Sequence, residues 1–423
     1  MTSLPDGLSA ENWVSKLSGT YYGMAFLGLA NAAYTSENLK NRKTISEHLK
    51  TAIEQANYTP PLPGWNFAGS ANPDPMPGNW KLDWGPAIAE DFSNLVYIAS
   101  YRDPGGSPYF YVVGIRGTDV LTKPLGVVDQ IIQDFDAFSM KDWGDILTKG
   151  VFAGSTFYKP PYHPTKTDSH PTGKVATGSF HAFHKLATTE PLKEYGEHAV
   201  LQALIGLLGG KATPVVVTGH SLGGCQTQTM TSYLTWQLPN NPVISHAFAP
   251  STAGDAGFAS KDYFKQGCFW YNTLDLVPCA FQKSSDKDYP DTKSGDYKLQ
   301  VGWAANTLWS TFTWPKESAY NPGQDAPELP LDKAMKAAVF AGGLLIEAAH
   351  FTRPCEPATP VRSCVLTGNI PTSQHIYDLL GIDMTHPDTA MLMWQHFPPN
   401  YRELMWAQYG SEMAYFNFST YHA

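Results

Sequence analysis

A serine flanked by glycines follows a short apolar segment near the middle of the chain. Residues 214–218 (PVVVT) have the composition of a buried parallel strand, and residues 219–223 (GHSLG) lead from them into a helix-like segment. A sharp strand–turn–helix connection lifts its serine above the sheet, provided that the residues two positions away are small. Gly219 and Gly223 meet that requirement, so the pattern predicts that Ser221 is a covalent nucleophile. The alternative is a glycine-rich turn with an incidental serine.

A serine nucleophile needs a histidine that removes its proton and an acid that orients the histidine. After a strand–turn–helix nucleophile these partners follow in the order acid, histidine. Asp275 ends the apolar run 269–274 and precedes a proline stop, which makes it the candidate acid. A capping or surface acid is the alternative reading of Asp275. The other acids after Ser221 lie in loops, Asp255 in a glycine-rich one and Asp286, Asp288, Asp291 and Asp296 in a charged one.

Two of the histidines that follow Asp275 are candidates for the base. His375 precedes the apolar helical pattern IYDLLGI, and His396 lies in the loop-like segment QHFPPNY before a helical pattern. The residue patterns alone do not separate these two histidines.

Strand-like and helix-like segments alternate along the chain, which favours an α/β fold. A hairpin is predicted from the strand-like runs 95–102 and 109–115 with the turn DPGGSP between them. A helix is predicted over residues 44–56, with Thr44 and Glu47 as a capping box. Residues 58–86, which are rich in Pro, Gly, Asn and Trp, are predicted to form a long surface loop.

Composition excludes several classes of protein. Hydrophobic residues make up 43% of the 423 residues and charged residues 16%, against about 25% charged residues in typical proteins. Such a chain has enough apolar material for a core and is not disordered. The formal net charge is −9, without a basic stripe, so nucleic acid is not expected as a partner.

The longest apolar stretches, 199–210 and 337–349, are shorter than the roughly 20 residues of a membrane-spanning helix. Residues 1–13 lack a basic segment followed by an apolar one, so we expect no secretory signal in this chain. The location stays open between a cytoplasmic protein and a secreted form without its leader.

Five cysteines in 423 residues do not form a disulfide framework. Cys225 has the surroundings of a small buried apolar residue. Cys355 and Cys364 enclose a proline-rich loop, and the sequence leaves their pairing open. Cysteine and histidine spacings do not match a zinc site, so neither a metal nor another cofactor is expected.

Several of these motifs, taken in order, resemble the class 3 lipases. The similar segments are IRGTD (115–119), GSF (178–180), TGHSLGG (218–224), FAP (248–250) with GDAGF (254–258), DLVP (275–278), and His396 followed five residues later by Tyr401. The resemblance implies an α/β-hydrolase fold with a central, mostly parallel sheet and helices on both faces.

The resemblance also assigns roles to residues. It implies Ser221 as nucleophile, Asp275 as acid and His396, through its H-x4-Y pattern, as base in preference to His375. It further implies that the backbone N–H groups of Leu222 and Thr118 form the oxyanion hole.

The resemblance covers residues 94–280 and a short segment near His396. The chain is longer than expected between 118 and 178 and again between Asp275 and His396. We therefore predict a single α/β-hydrolase domain over 1–423 with two insertions, 119–177 as a lid candidate and 281–372 as a cap candidate. The alternative is that both insertions extend the ordinary core.

These features predict a serine carboxylic-ester hydrolase, a lipase that cleaves acylglycerol esters through an acyl-enzyme. The expected partner is a lipid ester at a lipid–water interface. One alternative is a phospholipase or another acyl hydrolase with the same triad. A second is a non-catalytic hydrolase fold used for binding, which the intact Ser221, Asp275 and His396 argue against. Acyl chain length and oligomeric state stay open.

Overall fold

In a computed structural model, the protein is described over most of residues 10–117 and 173–279 and over shorter segments elsewhere. The described ranges are 10–34, 41–58, 79–90, 92–117, 139–149, 173–272, 275, 277–279, 353–354, 359–368, 395–410, 413 and 416–417. The candidate residues Ser221, Leu222, Asp275 and His396 lie within these ranges, whereas Thr118, Cys355 and His375 lie outside them.

Helices and strands alternate through the described ranges. The helices are α1 (Ala10–Ser18), α2 (Gly23–Ala32), α3 (Arg42–Glu54), α4 (Trp143–Lys149), α5 (Thr177–Thr188), α6 (Val200–Leu208), α7 (Leu222–Gln237) and α8 (Pro398–Tyr409). The strands are β1 (Asn57–Tyr58), β2 (Asn79–Ile88), β3 (Leu95–Arg102), β4 (Pro108–Ile115), β5 (Met140–Asp142), β6 (Lys174–Ala176), β7 (Val215–His220), β8 (Val243–Phe248), β9 (Gly267–Asn272), β10 (Arg362–Leu366) and β11 (Phe416–Asn417).

Seven of these strands form the central sheet, in the order β10-β9-β8-β7-β4-β3-β2. The five strands from β10 to β4 are mutually parallel, and β3 and β2 add an antiparallel edge. The carboxyl ends of β7, β8 and β9 therefore lie side by side, and in parallel α/β sheets ligands bind at this edge. The predicted mostly parallel sheet is confirmed.

The sheet is covered on both faces, since every residue of the inner strands β7, β8 and β9 is buried. Alternate side chains of β7 enter opposite cores: Val215 and Val217 belong to the core that includes residues of α5, α6 and α7, whereas Val216 belongs to the core that includes residues of α1, α2, α3 and α8. Side chains of successive strand residues point to opposite faces, so a continuous apolar run fills two cores at once. The predicted helices on both faces are confirmed.

The predicted hairpin is also confirmed. Strands β3 and β4 pair antiparallel, and the turn between them is closed by a hydrogen bond from Gly106 N to Asp103 O at 2.9 Å.

The predicted surface loop over 58–86 is wrong at its carboxyl end, where β2 begins at Asn79. Trp80, Leu82 and Trp84 are buried and alternate with more exposed polar residues. This period-two pattern is interrupted by register shifts between Leu82 and Trp84 and again before Ala87. Gly85 and Pro86 lie at these irregular positions, and their residue types favour a loop over a strand in an analysis of composition.

The capping box predicted at Thr44 is wrong. Helix α3 begins two residues earlier, and its N-cap is Asn41, whose Oδ1 accepts hydrogen bonds from Lys43 N and Thr44 N at 3.0 and 3.2 Å. Asparagine is among the best N-cap residues, so Thr44 falls inside the helix.

Part of the first predicted insertion packs into the core. Strands β5 and β6 pair antiparallel, and Trp143 is fully buried with its Nε1 donating to Ser232 Oγ at 2.8 Å. The rest of 119–177, for which a lid is predicted, lies outside the described ranges. Most of 281–372, the predicted cap, lies outside them as well. Within the described ranges, none of the helices has the length and hydropathy needed to cross a bilayer.

Candidate active site

Ser221 lies on a sharp turn between β7 and α7. Its φ of 60° and ψ of −126° belong to a backbone region that residues other than glycine rarely adopt. A hydrogen bond from Ser221 N to Phe248 O at 3.0 Å ties the turn to the end of β8. The main chain therefore presents Ser221 at the carboxyl edge of the sheet.

Glycines around the serine allow the turn to close. A Cβ atom on Gly223 would lie 2.5 Å from Ile115 O and 2.8 Å from Gly117 N, and one on Gly224 would lie 2.6 Å from Phe248 O. All of these neighbours are backbone atoms, which cannot rotate away. Small residues are therefore required where the helix start meets β4 and β8.

The structure brings Ser221, His396 and Asp275 together. His396 Nε2 lies 2.8 Å from Ser221 Oγ, and His396 Nδ1 lies 3.0 and 2.9 Å from the two carboxylate oxygens of Asp275. The three residues are 1%, 4% and 1% exposed, respectively. Since a carboxylate only accepts, Nδ1 carries the proton and Nε2 is left to accept the proton of the serine hydroxyl.

Two further donors hold the carboxylate of Asp275. Val277 N donates to Oδ1 at 3.0 Å, and Tyr401 Oη donates to Oδ2 at 2.7 Å. Tyr401 comes from the first turns of α8 and also accepts from Asn272 N at 3.0 Å. These donors bond both oxygens of the buried carboxylate and aim it at His396.

The segment that carries His396 is held by side-chain amides that the sequence did not reveal. Asn272 Nδ2, at the end of β9, donates to Gln395 O at 2.9 Å and to Gln395 Oε1 at 2.7 Å. Asn400 Nδ2 donates to the same Oε1 at 3.2 Å. Asn272 and Gln395 are 123 positions apart, and no local pattern links residues at such a distance.

One of the two predicted oxyanion donors lies within the described ranges. Leu222 is the first residue of α7, and the first N–H groups of a helix have no acceptor within the helix and lie at its positive end. Gly117, beside Gly223, ends the described part of the chain after β4. Thr118, the other predicted donor, is outside the described residues.

Within the described ranges, no three residues from His, Cys, Asp and Glu are grouped so as to hold a metal ion.

A protein-family model and solved structures both show similarity between this chain and lipases. Residues 112–284 match the model of a protein family described as Lipase (class 3). No curated protein matches the chain.

Solved lipase structures align with this chain over different shares of its length. The M37 lipase aligns with a TM-score of 0.56 and 20% identity, covering 90% of this chain and 95% of the M37 chain. A triacylglycerol lipase from Penicillium expansum aligns with a TM-score of 0.33 and 14% identity over 62% of this chain and 74% of its own. The Lip2 lipase from Yarrowia lipolytica aligns with a TM-score of 0.33 and 16% identity, covering 64% of this chain and 76% of the Lip2 chain. The likeness to the M37 lipase shows that the two chains share the α/β-hydrolase fold.

Proposed function

We propose that this chain, whose residues 112–284 match the family model described as Lipase (class 3), is a serine carboxylic-ester hydrolase that cleaves acylglycerols. The observation that carries the proposal is the hydrogen-bonded series Ser221–His396–Asp275 on the turn between β7 and α7. Lipase-type ester hydrolysis is the activity of the family. The roles of the three residues and the substrate are our proposals.

Acylation begins when Ser221 Oγ attacks the ester carbonyl. His396 Nε2, 2.8 Å away, takes the serine proton and then gives it to the leaving alcohol. Asp275 holds the proton-bearing Nδ1 of His396 and stabilises the imidazolium that forms. Water then attacks the carbonyl of the acyl-enzyme while His396 Nε2 takes its proton. The proton returns to Ser221 Oγ as the fatty acid is released.

The tetrahedral oxyanion needs donors that are already in place. We assign the N–H of Leu222 at the start of α7 and, on the family resemblance, the N–H of Thr118. One such donor is typically worth about 3–4 kcal/mol of the barrier. Its effect is larger in a site shielded from water, and Ser221 is buried.

The experiment is hydrolysis of p-nitrophenyl esters with acyl chains from two to sixteen carbons, followed by emulsified triacylglycerol and phosphatidylcholine. Wild type and Ser221→Ala are compared, and circular dichroism checks that both are folded. We expect activity in the wild type and none above background in the variant. Faster cleavage of long chains and of triacylglycerol would support the acylglycerol substrate.

Two other outcomes would change the proposal. Preference for phosphatidylcholine would replace the acylglycerol with a phospholipid substrate. A folded wild type that hydrolyses no ester of any length would exclude the proposed activity and leave a binding role.

A further inference from the structure

The residue before the nucleophile contacts the main chain of the histidine base. His220 is the last residue of β7 and is 2% exposed. Its Nε2 lies 2.7 Å from His396 O, and its Nδ1 lies 3.2 Å from Tyr34 Oη. A carbonyl oxygen can only accept, so Nε2 of His220 carries the proton and Nδ1 is an acceptor.

His220 stays neutral beside the base. Burial, and in second place the neighbouring His396, lower the pKa of His220 well below its ordinary value, while the hydrogen bond to His396 O acts in the opposite direction. The two rings lie 4.7 Å apart between centroids. A neutral His220 keeps the same donor on His396 O while His396 gains and loses its proton during the reaction.

Tyr34 completes this arrangement from outside the segment that matches the family model. It follows α2 and is 5% exposed, and its hydroxyl lies 3.1 Å from His220 O as well, so its single proton is shared between that oxygen and Nδ1. Helix α2 is fixed to the sheet by Thr218 Oγ1, which donates to Phe26 O at 3.2 Å, and by Tyr97 Oη, which donates to Leu29 O at 2.8 Å. The position of the Tyr34 hydroxyl is therefore set by a helix that is itself bonded to the sheet.

We propose that His220 and Tyr34 are positioning residues for the reaction, which hold the main chain of His396 so that its imidazole faces Ser221 Oγ. This inference rests on the proposed function. The N–H of His220 fixes the carbonyl of His396, the Tyr34 hydroxyl fixes the ring of His220, and neither group touches the substrate. Displacing a catalytic group by about 1 Å can lower a rate about a hundredfold.

The chain offers matched controls for both residues. His246 is also fully buried, and its Nε2 lies 2.7 Å from a main-chain carbonyl, but that carbonyl belongs to Leu17 in α1. Tyr111 is a buried tyrosine of β4 whose hydroxyl donates to Leu207 O in α6 at 3.0 Å. Substitutions of His246 and Tyr111 remove the same kinds of hydrogen bond away from Ser221.

The experiment measures kcat and KM for p-nitrophenyl butyrate per active site, counted by stoichiometric reaction with a p-nitrophenyl phosphonate. Counting active sites removes the effect of misfolded protein. We expect His220→Leu to lower kcat by about tenfold to a hundredfold with little change in KM. His220→Gln places an amide N–H near the position of Nε2 and is expected to restore most of the loss.

Tyr34→Phe keeps the test decisive if His220→Leu does not fold. Loss of one neutral hydrogen bond is expected to lower kcat about fivefold, whereas Tyr111→Phe and His246→Leu leave kcat per active site unchanged. Equal kcat per site in wild type, His220→Leu and Tyr34→Phe would overturn the inference and leave the proposed function standing. A wild type that neither reacts with the phosphonate nor hydrolyses the ester would overturn the proposed function and this inference with it.

Discussion

At the residue scale, Asp275 shows how a buried carboxylate is held in one orientation at the candidate site. Its carboxylate is 1% exposed and accepts hydrogen bonds from Val277 N, Tyr401 Oη and His396 Nδ1. A buried carboxylate is costly unless its oxygens are bonded, and here each oxygen has more than one donor. The same bonds give the carboxylate a single orientation, and that orientation selects the tautomer of His396.

Asp275→Asn is predicted to abolish most of the activity with little change in fold. The amide has almost the volume of the carboxylate but stabilises the wrong tautomer of the imidazole, which lowers kcat on the order of 10⁴-fold in enzymes of this chemistry. The measurement is kcat for p-nitrophenyl butyrate together with the melting temperature.

Asp255→Asn is the matched control for this prediction. Asp255 Oδ1 accepts from two backbone groups, Lys174 N and Phe258 N, at 2.9 and 3.0 Å, but it does not contact His396 in the described structure. We expect Asp255→Asn to lower stability and to leave kcat close to that of wild type. If both variants had the same kcat, Asp275 would not be the acid.

At the element scale, the turn at Ser221 depends on how closely α7 approaches β4. Gly223 in the first turn of α7 lies against the main chain of Ile115 and Gly117. The carboxyl end of β4 and the amino end of α7 are thereby locked together, and this junction is where the oxyanion donors are proposed to lie.

Gly223→Ala is predicted to be destabilising and less active. Its Cβ would lie 2.5 Å from Ile115 O, so the strand end must move, and such overpacking costs about 1–3 kcal/mol. Gly206→Ala in α6 is the control, because a Cβ there meets no atom within 4 Å and alanine is the better helix former by about 1 kcal/mol. Urea unfolding and the kcat of each variant test the pair. A Gly223→Ala protein as stable and active as wild type would contradict the packing described here.

The elements that the sequence predicts well are those with a local signal. The hairpin has a strong turn between two apolar runs, and the turn at Ser221 has glycines at the required spacing. Strand β2 lacks such a local signal. Gly85 and Pro86 lie within it, and register shifts interrupt the alternation of buried and exposed residues. The contacts of Asn272 with Gln395 and of His220 with His396 span 123 and 176 positions. They depend on the closed fold, so no local pattern contains them.

At the scale of the whole molecule, the N-terminal helices are attached to the sheet by polar side chains as well as by apolar packing. His246 in β8 bonds Leu17 O in α1 through Nε2, and its Nδ1 lies 3.4 Å from Trp270 Nε1, which donates to it. Burial lowers the pKa of His246 to about 4, partly opposed by the hydrogen bond to Leu17 O. The hydrogen bond between β8 and α1 is thus made by a histidine that is neutral in the folded protein near neutral pH.

The stability of the fold is therefore predicted to decrease as the pH falls from 6.5 towards 4. In that range the unfolded chain, with the ordinary histidine pKa of 6.5, binds a proton at His246 that the folded protein does not bind. Each pH unit then costs up to about 1.4 kcal/mol for this residue, and His220 acts in the same direction. The measurement is the free energy of unfolding in urea at several pH values.

His246→Gln removes the titrating group and keeps a donor for Leu17 O. We expect the variant to be less stable than wild type at pH 8 but to lose less stability between pH 6.5 and 4. Parallel pH dependences of the two proteins would show that His246 is not the source of the acid sensitivity.

The central claim is that Ser221 is a nucleophile activated by His396. The most direct measurement is mass spectrometry of the intact protein and its peptides after reaction with a p-nitrophenyl alkylphosphonate. We predict one phosphonyl group per chain, on the peptide that contains Ser221, with loss of ester hydrolysis in proportion to labelling and no labelling of Ser221→Ala. Loss of hydrolysis with the phosphonyl group on another residue, or full activity in Ser221→Ala, would contradict the account.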